Sequence, residues 1–313
     1  MKVEKHFLAS FLDDLNRNRV VLPTLPEVAV QVRKLVNDPA TTDRQISRLI
    51  GSDPALTARL FKVVNSPLYR SQEKIENLQT AVTRLGRTQV RNLVTSLVMQ
   101  QLYESKGTQL TKQRLKTLWA HSAKVATLSF VLARRFTKLQ PDQAMLGGLI
   151  HDIGVLPILR CAEAYPQLAN DPEALEEVIG ELHTIIGPYI LDEWNFSPEL
   201  VAVTSQHEDL WHSEGPGVSY VDVVIVANLH SYLGTQHHLT QKDWSEIPAF
   251  AKLGLTPEET IKTLEEVRVD TGIAGNLADQ DVDTGAKNGA DAITRQQRQV
   301  DTAFEFDVSH VFI

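Results

Sequence analysis

Cysteine is almost missing from this chain: Cys161 is the only one in 313 residues. A lone thiol excludes an intrachain disulfide and any zinc site built from cysteine pairs. Positive charge is short as well. Lys and Arg number 31 against 39 Asp and Glu, leaving a net charge of −8, so the chain as a whole offers no electrostatic footprint for general nucleic-acid binding. Long hydrophobic runs are lacking too, and none approaches the ~18 apolar residues that a membrane span needs. At the start, Phe7, Leu8, Phe11, Leu12 and Leu15 alternate with Asp13, Asp14 and Arg17. That is an amphipathic helix, without the unbroken apolar core of a signal peptide. The expectation is a soluble, cytoplasmic protein that does not engage a membrane.

What the chain has in quantity is helical periodicity. Val28, Val32, Leu35 and Val36 recur at helical spacing before Asn37-Asp38-Pro39. Thr42 or Asp43 is placed to cap a helix carrying Ile46, Leu49 and Ile50, and Asp53-Pro54 to open the next,. Two short helices around Gly51 invite a helix-turn-helix reading of residues 43–65. Few basic residues stand there (Arg44, Arg48, Arg59 and Lys62) and the chain is acidic, so a pair of core helices is preferred,. Helices are expected over Thr80–Leu85, Thr88–Leu102 and Thr111–Lys138, and another from Pro141 to the pair His151-Asp152,. A looser acidic stretch is expected over Asp171–Glu177, followed by helices through His183 to Trp194, from Ser197-Pro198 to His207, and from Pro257 to near Asp270. Tyr220–Leu233 is expected to be a strongly apolar helix. Within it Val221–Val226 is the one place where a strand competes, since period alone does not separate them, and the surrounding helices favour helix. From about Gly272 the composition turns to Ala, Gly, Asp, Asn, Thr and Gln, which reads as a flexible tail.

The chemistry gathers around Leu146-Gly147-Gly148-Leu149-Ile150-His151-Asp152-Ile153-Gly154. An adjacent imidazole and carboxylate can hold a divalent cation, and Gly154 would let the backbone turn away beyond them. His121, His183 and His207 lie on other expected helices. Any one of these histidines could be a core residue hydrogen-bonded to a carbonyl. Helix bundles nevertheless build metal sites by projecting ligands inward from facing helices, so the candidate ligands are His121, His151, Asp152, His183 and His207. Such a set suits Fe, Mn, Zn or Mg better than calcium.

Several segments, in order, resemble the HDOD family, the signalling branch of the HD superfamily. They are Leu22-Pro23-Thr24-Leu25-Pro26, Ile50 to Thr57, Val64 to Tyr69, Ala81 to Gly86, Trp119-Ala120-His121-Ser122, Gly147 to Gly154, Glu181 to Gly187, Trp194 and Gln206-His207-Glu208-Asp209. The resemblance implies an all-α fold, a multi-helix HD-superfamily-like bundle with an N-terminal helical subdomain. The expected organisation is an amphipathic helix over 1–20, the N-terminal helical part over 21–107, an HD-like subdomain over 108–235, a helical extension over 236–272 and a tail over 273–313.

The wider superfamily includes metal-dependent phosphohydrolases, whose pattern makes His121, His151 and Asp152 ligands and adds an Asp from a late helix. Asn228 stands at that position here. The related cyclic-di-GMP phosphodiesterases, the HD-GYP group, carry a His-His-Glu triplet and a Gly-Tyr-Pro loop. This chain has Gln206-His207-Glu208 and Gly215-Pro216-Gly217, and Val155 where active relatives commonly have Lys. These departures favour a regulatory, non-enzymatic module working through a signalling protein partner or a nucleotide ligand in a degenerate HD pocket. The alternative is a metal-dependent phosphohydrolase acting on a nucleotide or cyclic dinucleotide.

Overall fold

A computed structural model describes residues 2–17, 19–66, 69, 74–104 and 107–270. Among them there is no strand; every regular element is a helix. In chain order these are α1 (Lys2–Asn16), α2 (Glu27–Asn37), α3 (Asp43–Gly51), α4 (Pro54–Val64), α5 (Leu78–Leu85), α6 (Arg87–Met99), α7 (Gln109–Phe136), α8 (Pro141–Ile150), α9 (Val155–Ala162), α10 (Pro166–Ala169), α11 (Pro172–Glu193), α12 (Pro198–Gln206), α13 (Tyr220–Ser231), α14 (Pro248–Leu253) and α15 (Pro257–Asp270). The tail expected over 273–313 lies outside the described residues.

Local sequence explains most of the boundaries. Thr42 and Gln45 close a reciprocal capping box on α3,. Asp53 caps α4 through the Leu56 amide, with Pro54 in its first turn,. The helix expected over Thr88–Leu102 splits, because α6 stops at Met99 and Gln100–Tyr103 tightens into a 3-10 turn,. Asp171–Glu177 is a correction. Asp171 accepts from the Ala174 amide, and the acidic residues form the first turns of the 22-residue α11, where negative charge favours the helix N-terminus.

Val221–Val226 is helix, not strand. Ser219 and Asp222 form a capping box at its start, and all twelve residues of α13 are buried. Surrounded by α7, α8, α12 and α14, it is apolar all round because it has no solvent face. The same reasoning covers Pro141–Ala162, whose most apolar 18-residue window has a mean hydropathy of 1.4 but is 83% buried within the fold. Length and composition would let that stretch cross a membrane; its burial marks it as core, and it is broken by the turn at 151–154.

The α7–α8 crossing sets the centre. A Cβ on Gly148 would come within 2.9 Å of the Ala126 backbone and 2.7 Å of Ser129 Oγ, so glycine allows the two helices to approach closely. The N-terminal helices attach here: Tyr69 donates to the buried Asp142 of α8 at 2.6 Å, and α1 buries Phe7 edge-on against Tyr165 at 5.0 Å. In the pair expected as core helices around Gly51, Ile46, Ile50, Leu60 and Val64 are fully buried while Arg44, Arg48 and Lys62 lie on the surface.

Candidate metal centre

Five elements converge on one carboxylate. His121 comes from the middle of α7, and His151 is the C-cap of α8. Asp152 begins the turn into α9, His183 projects from α11, and His207 is the C-cap of α12. Two helix C-termini thus point their negative ends at the cluster, an arrangement that favours a cation.

The distances divide the cluster into two halves. Asp152 Oδ2 lies 3.3 Å from His151 Nε2 and 3.6 Å from His121 Nε2. Its Oδ1 lies 3.2 Å from His207 Nε2 and 3.7 Å from His183 Nε2. Within each half the imidazoles face one another, His121 to His151 at 3.2 Å and His183 to His207 at 3.3 Å. The ligand atoms of each trio fall within 4.8 Å of one another, close enough for one ion per trio with Asp152 shared. All five sequence candidates are therefore brought together.

The far side of each ring decides what these contacts mean. His151 Nδ1 faces the Gly148 carbonyl at 2.8 Å, His183 Nδ1 that of Ile179 at 2.7 Å, and His207 Nδ1 that of Val203 at 3.0 Å. A carbonyl only accepts, so each Nδ1 carries its hydrogen and each neutral ring turns a lone pair inward at Nε2. His121 follows by elimination. Ser231 Oγ donates its single hydrogen to the Asn228 carbonyl at 2.7 Å, so at 3.4 Å it accepts from His121 Nδ1. Four lone pairs and a carboxylate face one another with no donor among them, and tying the outer nitrogen of each ring is how metal-binding histidines are oriented.

Protonation responds to this excess of acceptors. Burial works against a charged His151, yet the Asp152 charge and hydrogen bond raise its pKa above the ordinary value. Burial would raise Asp152, but His151 and His207 hold it well below the carboxylate range. Burial and then the neighbouring His151 press His121 down to about 3, and burial lowers His207. Protonation of His151, which Asp152 favours, would offset part of the negative character; a divalent cation would offset more.

Gly154 serves a purpose different from the one expected. Its backbone is ordinary right-handed helix, with φ −63°. A Cβ there would overlap the His183 carbonyl and stand 3.0 Å from the Gly187 amide. The glycine lets α11 press against the turn and deliver His183.

Other groups complete the surroundings. Asn228 Oδ1 and Gln206 Oε1 are buried without a hydrogen-bond partner, so both are acceptors in need of a donor or a cation. Glu208 Oε1 lies 3.6 Å from His183 Nε2 on the exposed side. Tyr232 stacks on His121 at 5.0 Å, and His237 stacks on Tyr232 at 3.7 Å. Ser231, Tyr232 and Glu208 were missed as site residues. The spacing of Ser231, one turn after Asn228, and the adjacency of Glu208 to His207 were the available signals.

The HDOD domain family model matches residues 22–210, well over half of the chain. The chain belongs to the HDOD family. A crystal structure from Shewanella amazonensis SB2B, whose name proposes a metal-dependent phosphohydrolase, is similar at 31% identity and a TM-score of 0.72, covering 87% of this chain and all of that one. An HDOD domain protein of unknown function from Geobacter sulfurreducens shares the fold at 21% identity and a TM-score of 0.61, over 86% of this chain and 95% of its own. An uncharacterized protein of Treponema pallidum (strain Nichols) is 23% identical over 222 residues, 66% of this chain but only 42% of that protein's length. The HDOD assignment and the helical HD-superfamily architecture thus agree with the expectation drawn from the sequence.

Proposed function

We propose that this HDOD protein is a regulatory module that holds divalent metal between His121, His151, Asp152, His183 and His207, and that it acts through a signalling partner. One observation carries the metal assignment: four imidazoles aim Nε2 lone pairs at the two oxygens of a single carboxylate, with every Nδ1 hydrogen already committed. Four nitrogens and one carboxylate favour Fe, Mn or Zn over magnesium, which prefers oxygen and water. Asn228 and Gln206 are neutral amides where active relatives carry Asp and His, and Val155 brings no charge where active relatives commonly have Lys. Three of the four rings are almost wholly buried, and Tyr232 covers the fourth. These features support a metal-held junction of five helical segments over an open catalytic cleft.

A second reading, a metal-dependent phosphohydrolase of a nucleotide or cyclic dinucleotide, is favoured by the division of the cluster. Two imidazole pairs sharing Asp152 match a two-ion arrangement, in which bound metal would supply an activated water and polarise a phosphoryl oxygen. The chain's own part would be to fix the rings through Gly148, Ile179, Val203 and Ser231, and to hold Asp152 ionised. Turnover of a nucleotide and cyclic-dinucleotide panel by the Mn- and Fe-loaded protein separates the readings. The regulatory reading expects no phosphate release, together with a protein that co-purifies from the native cell. Release that disappears in Asp152→Ala would replace it with the enzymatic one.

A further inference from the structure

A second polar site lies at the other end of α12. A cavity of about 270 Å³ is walled by Arg33 and Asn37 of α2, Arg91 and Asn92 of α6, Gln143 of α8, and residues of the segment that opens α12, Asn195, Phe196, Ser197, Glu199 and Leu200. Two guanidinium groups share it without a carboxylate partner among the described residues. Arg33 donates to the Asn195 carbonyl at 2.7 Å and lies over the Phe196 ring at 4.1 Å. Arg91 reaches only amide oxygens, Asn92 Oδ1 at 3.2 Å and Asn37 Oδ1 at 3.4 Å. Glu199 is exposed at the rim and pairs with neither among the described ion pairs.

Two further observations point to an anion. Asn92 is only 2% exposed, yet its Nδ2 has no hydrogen-bond partner. A buried donor left unpaired costs about 1–3 kcal/mol, and Asn92 lines this cavity, so a small turn of its side chain would offer that donor to an anionic oxygen there. The start of α12 also faces the cavity, and the Ser197 side chain does not cap it. The positive end of that helix therefore adds to the two arginines. Burial, and then Arg91, press the Arg33 pKa down to about 10, so the cations repel each other until a negative charge joins them.

Next to it lies a cavity of about 750 Å³ that shares Arg33, Asn37 and Asn195. Its lining adds the apolar and aromatic Leu22, Pro23, Leu25, Tyr189 and Trp194, beside the charged Lys34 and Glu193. The Trp194 indole is fixed there by donating to the Pro23 carbonyl at 3.1 Å. The Leu22 to Pro26 motif and Trp194, which play no part in the metal centre, thus meet beside the arginines.

We propose that the paired cavities form a nucleotide-binding site, with the phosphate on Arg33, Arg91 and Asn92 and the base against Trp194. Guanidinium forks suit phosphate oxygens, and a polar pocket opening onto an aromatic wall suits a nucleoside monophosphate. The site stands apart from the His/Asp cluster and does not depend on metal there.

Isothermal titration calorimetry of the full chain with AMP, GMP and inorganic phosphate tests it. At least one nucleotide should bind more tightly than phosphate. Arg91→Gln should weaken that binding about tenfold or more, the scale of one charge-assisted contact, and Arg91→Lys by less. Circular dichroism verifies that both variants are folded, and His151→Ala should leave the nucleotide affinity within about twofold. Absence of binding by all three probes at about 1 mM, the weak end of specific affinity, would overturn the proposal. So would a loss in His151→Ala as large as in Arg91→Gln, which would move the ligand to the metal centre.

Discussion

The two ends of α12 are opposites. At its C-terminus, His207 joins three other imidazoles and a carboxylate, a site crowded with acceptors. At its N-terminus, Arg33, Arg91 and the Asn92 amide crowd donors around a cavity. A nine-residue helix spans about 14 Å, and its dipole has the sign each end requires: negative toward the cation site, positive toward the anion site. The lesson is that buried polar groups become informative when their partners are counted. A histidine or an arginine alone is ordinary; a cluster in which acceptors, or cations, go without a charged partner implies a missing ion of the opposite kind.

The contrast breaks most sharply at the shared carboxylate. Asp152→Ala removes the only ligand common to both halves of the cluster, and its metal affinity should fall by more than the roughly 10–100-fold seen for outer partners of metal ligands. Metal content after dialysis measures this, and nucleotide binding at the other end should persist. Acid should separate the ends next. Metal and protons compete for the His151 Nε2 lone pair, whose basicity Asp152 raises, so below the His151 pKa retention should drop by about tenfold per pH unit. The guanidiniums stay charged through that range, with Arg33 at about 10. Metal analysis and nucleotide calorimetry at pH 7 and pH 5 should therefore diverge.

Smaller effects test the packing around the cation site. Gly154→Ala puts a Cβ onto the His183 carbonyl and should cost about 1–3 kcal/mol in urea unfolding, as overpacked sites do. His230 is a useful counterpart, a buried imidazole outside the cluster. Its Nδ1 donates to the Val226 carbonyl at 2.7 Å, and it packs against Trp244 and Phe250. Burial lowers its pKa to about 4. With a folded value below the unfolded value near 6.5, its contribution is complete above that pH and is lost as pH falls toward 4. Between pH 7 and pH 5 the loss is about 2 kcal/mol. His230→Phe should flatten the acid slope of stability by that amount, with metal content unchanged.

Much of the fold was legible because its signals are local. Thr42, Asp53-Pro54, Pro141 and Ser197-Pro198 mark helix starts within a few residues. The five residues of the cluster could be named because adjacent His and Asp, followed by Gly, stand out beside three other helix-borne histidines. What escaped depends on distant contacts. Gly154 looked like a turn residue because the His183 carbonyl that excludes a Cβ lies nearly thirty positions away. The Asp171–Glu177 stretch looked loose because its charges concealed a capped N-terminus. Arg33 and Arg91 carry no motif, and only the packing of α2, α6 and α12 turns them into a pair.

The central claim is that inward-facing Nε2 atoms hold divalent metal. Elemental analysis of the protein purified without chelator or added metal tests it most directly, with His151→Ala and His207→Ala alongside. At least one Fe, Mn or Zn ion per wild-type chain is predicted, with a clear loss in each variant, since each removes a ligand from a different half of the cluster. A wild-type protein that is fully folded, free of metal and unable to take up Mn or Fe would contradict it.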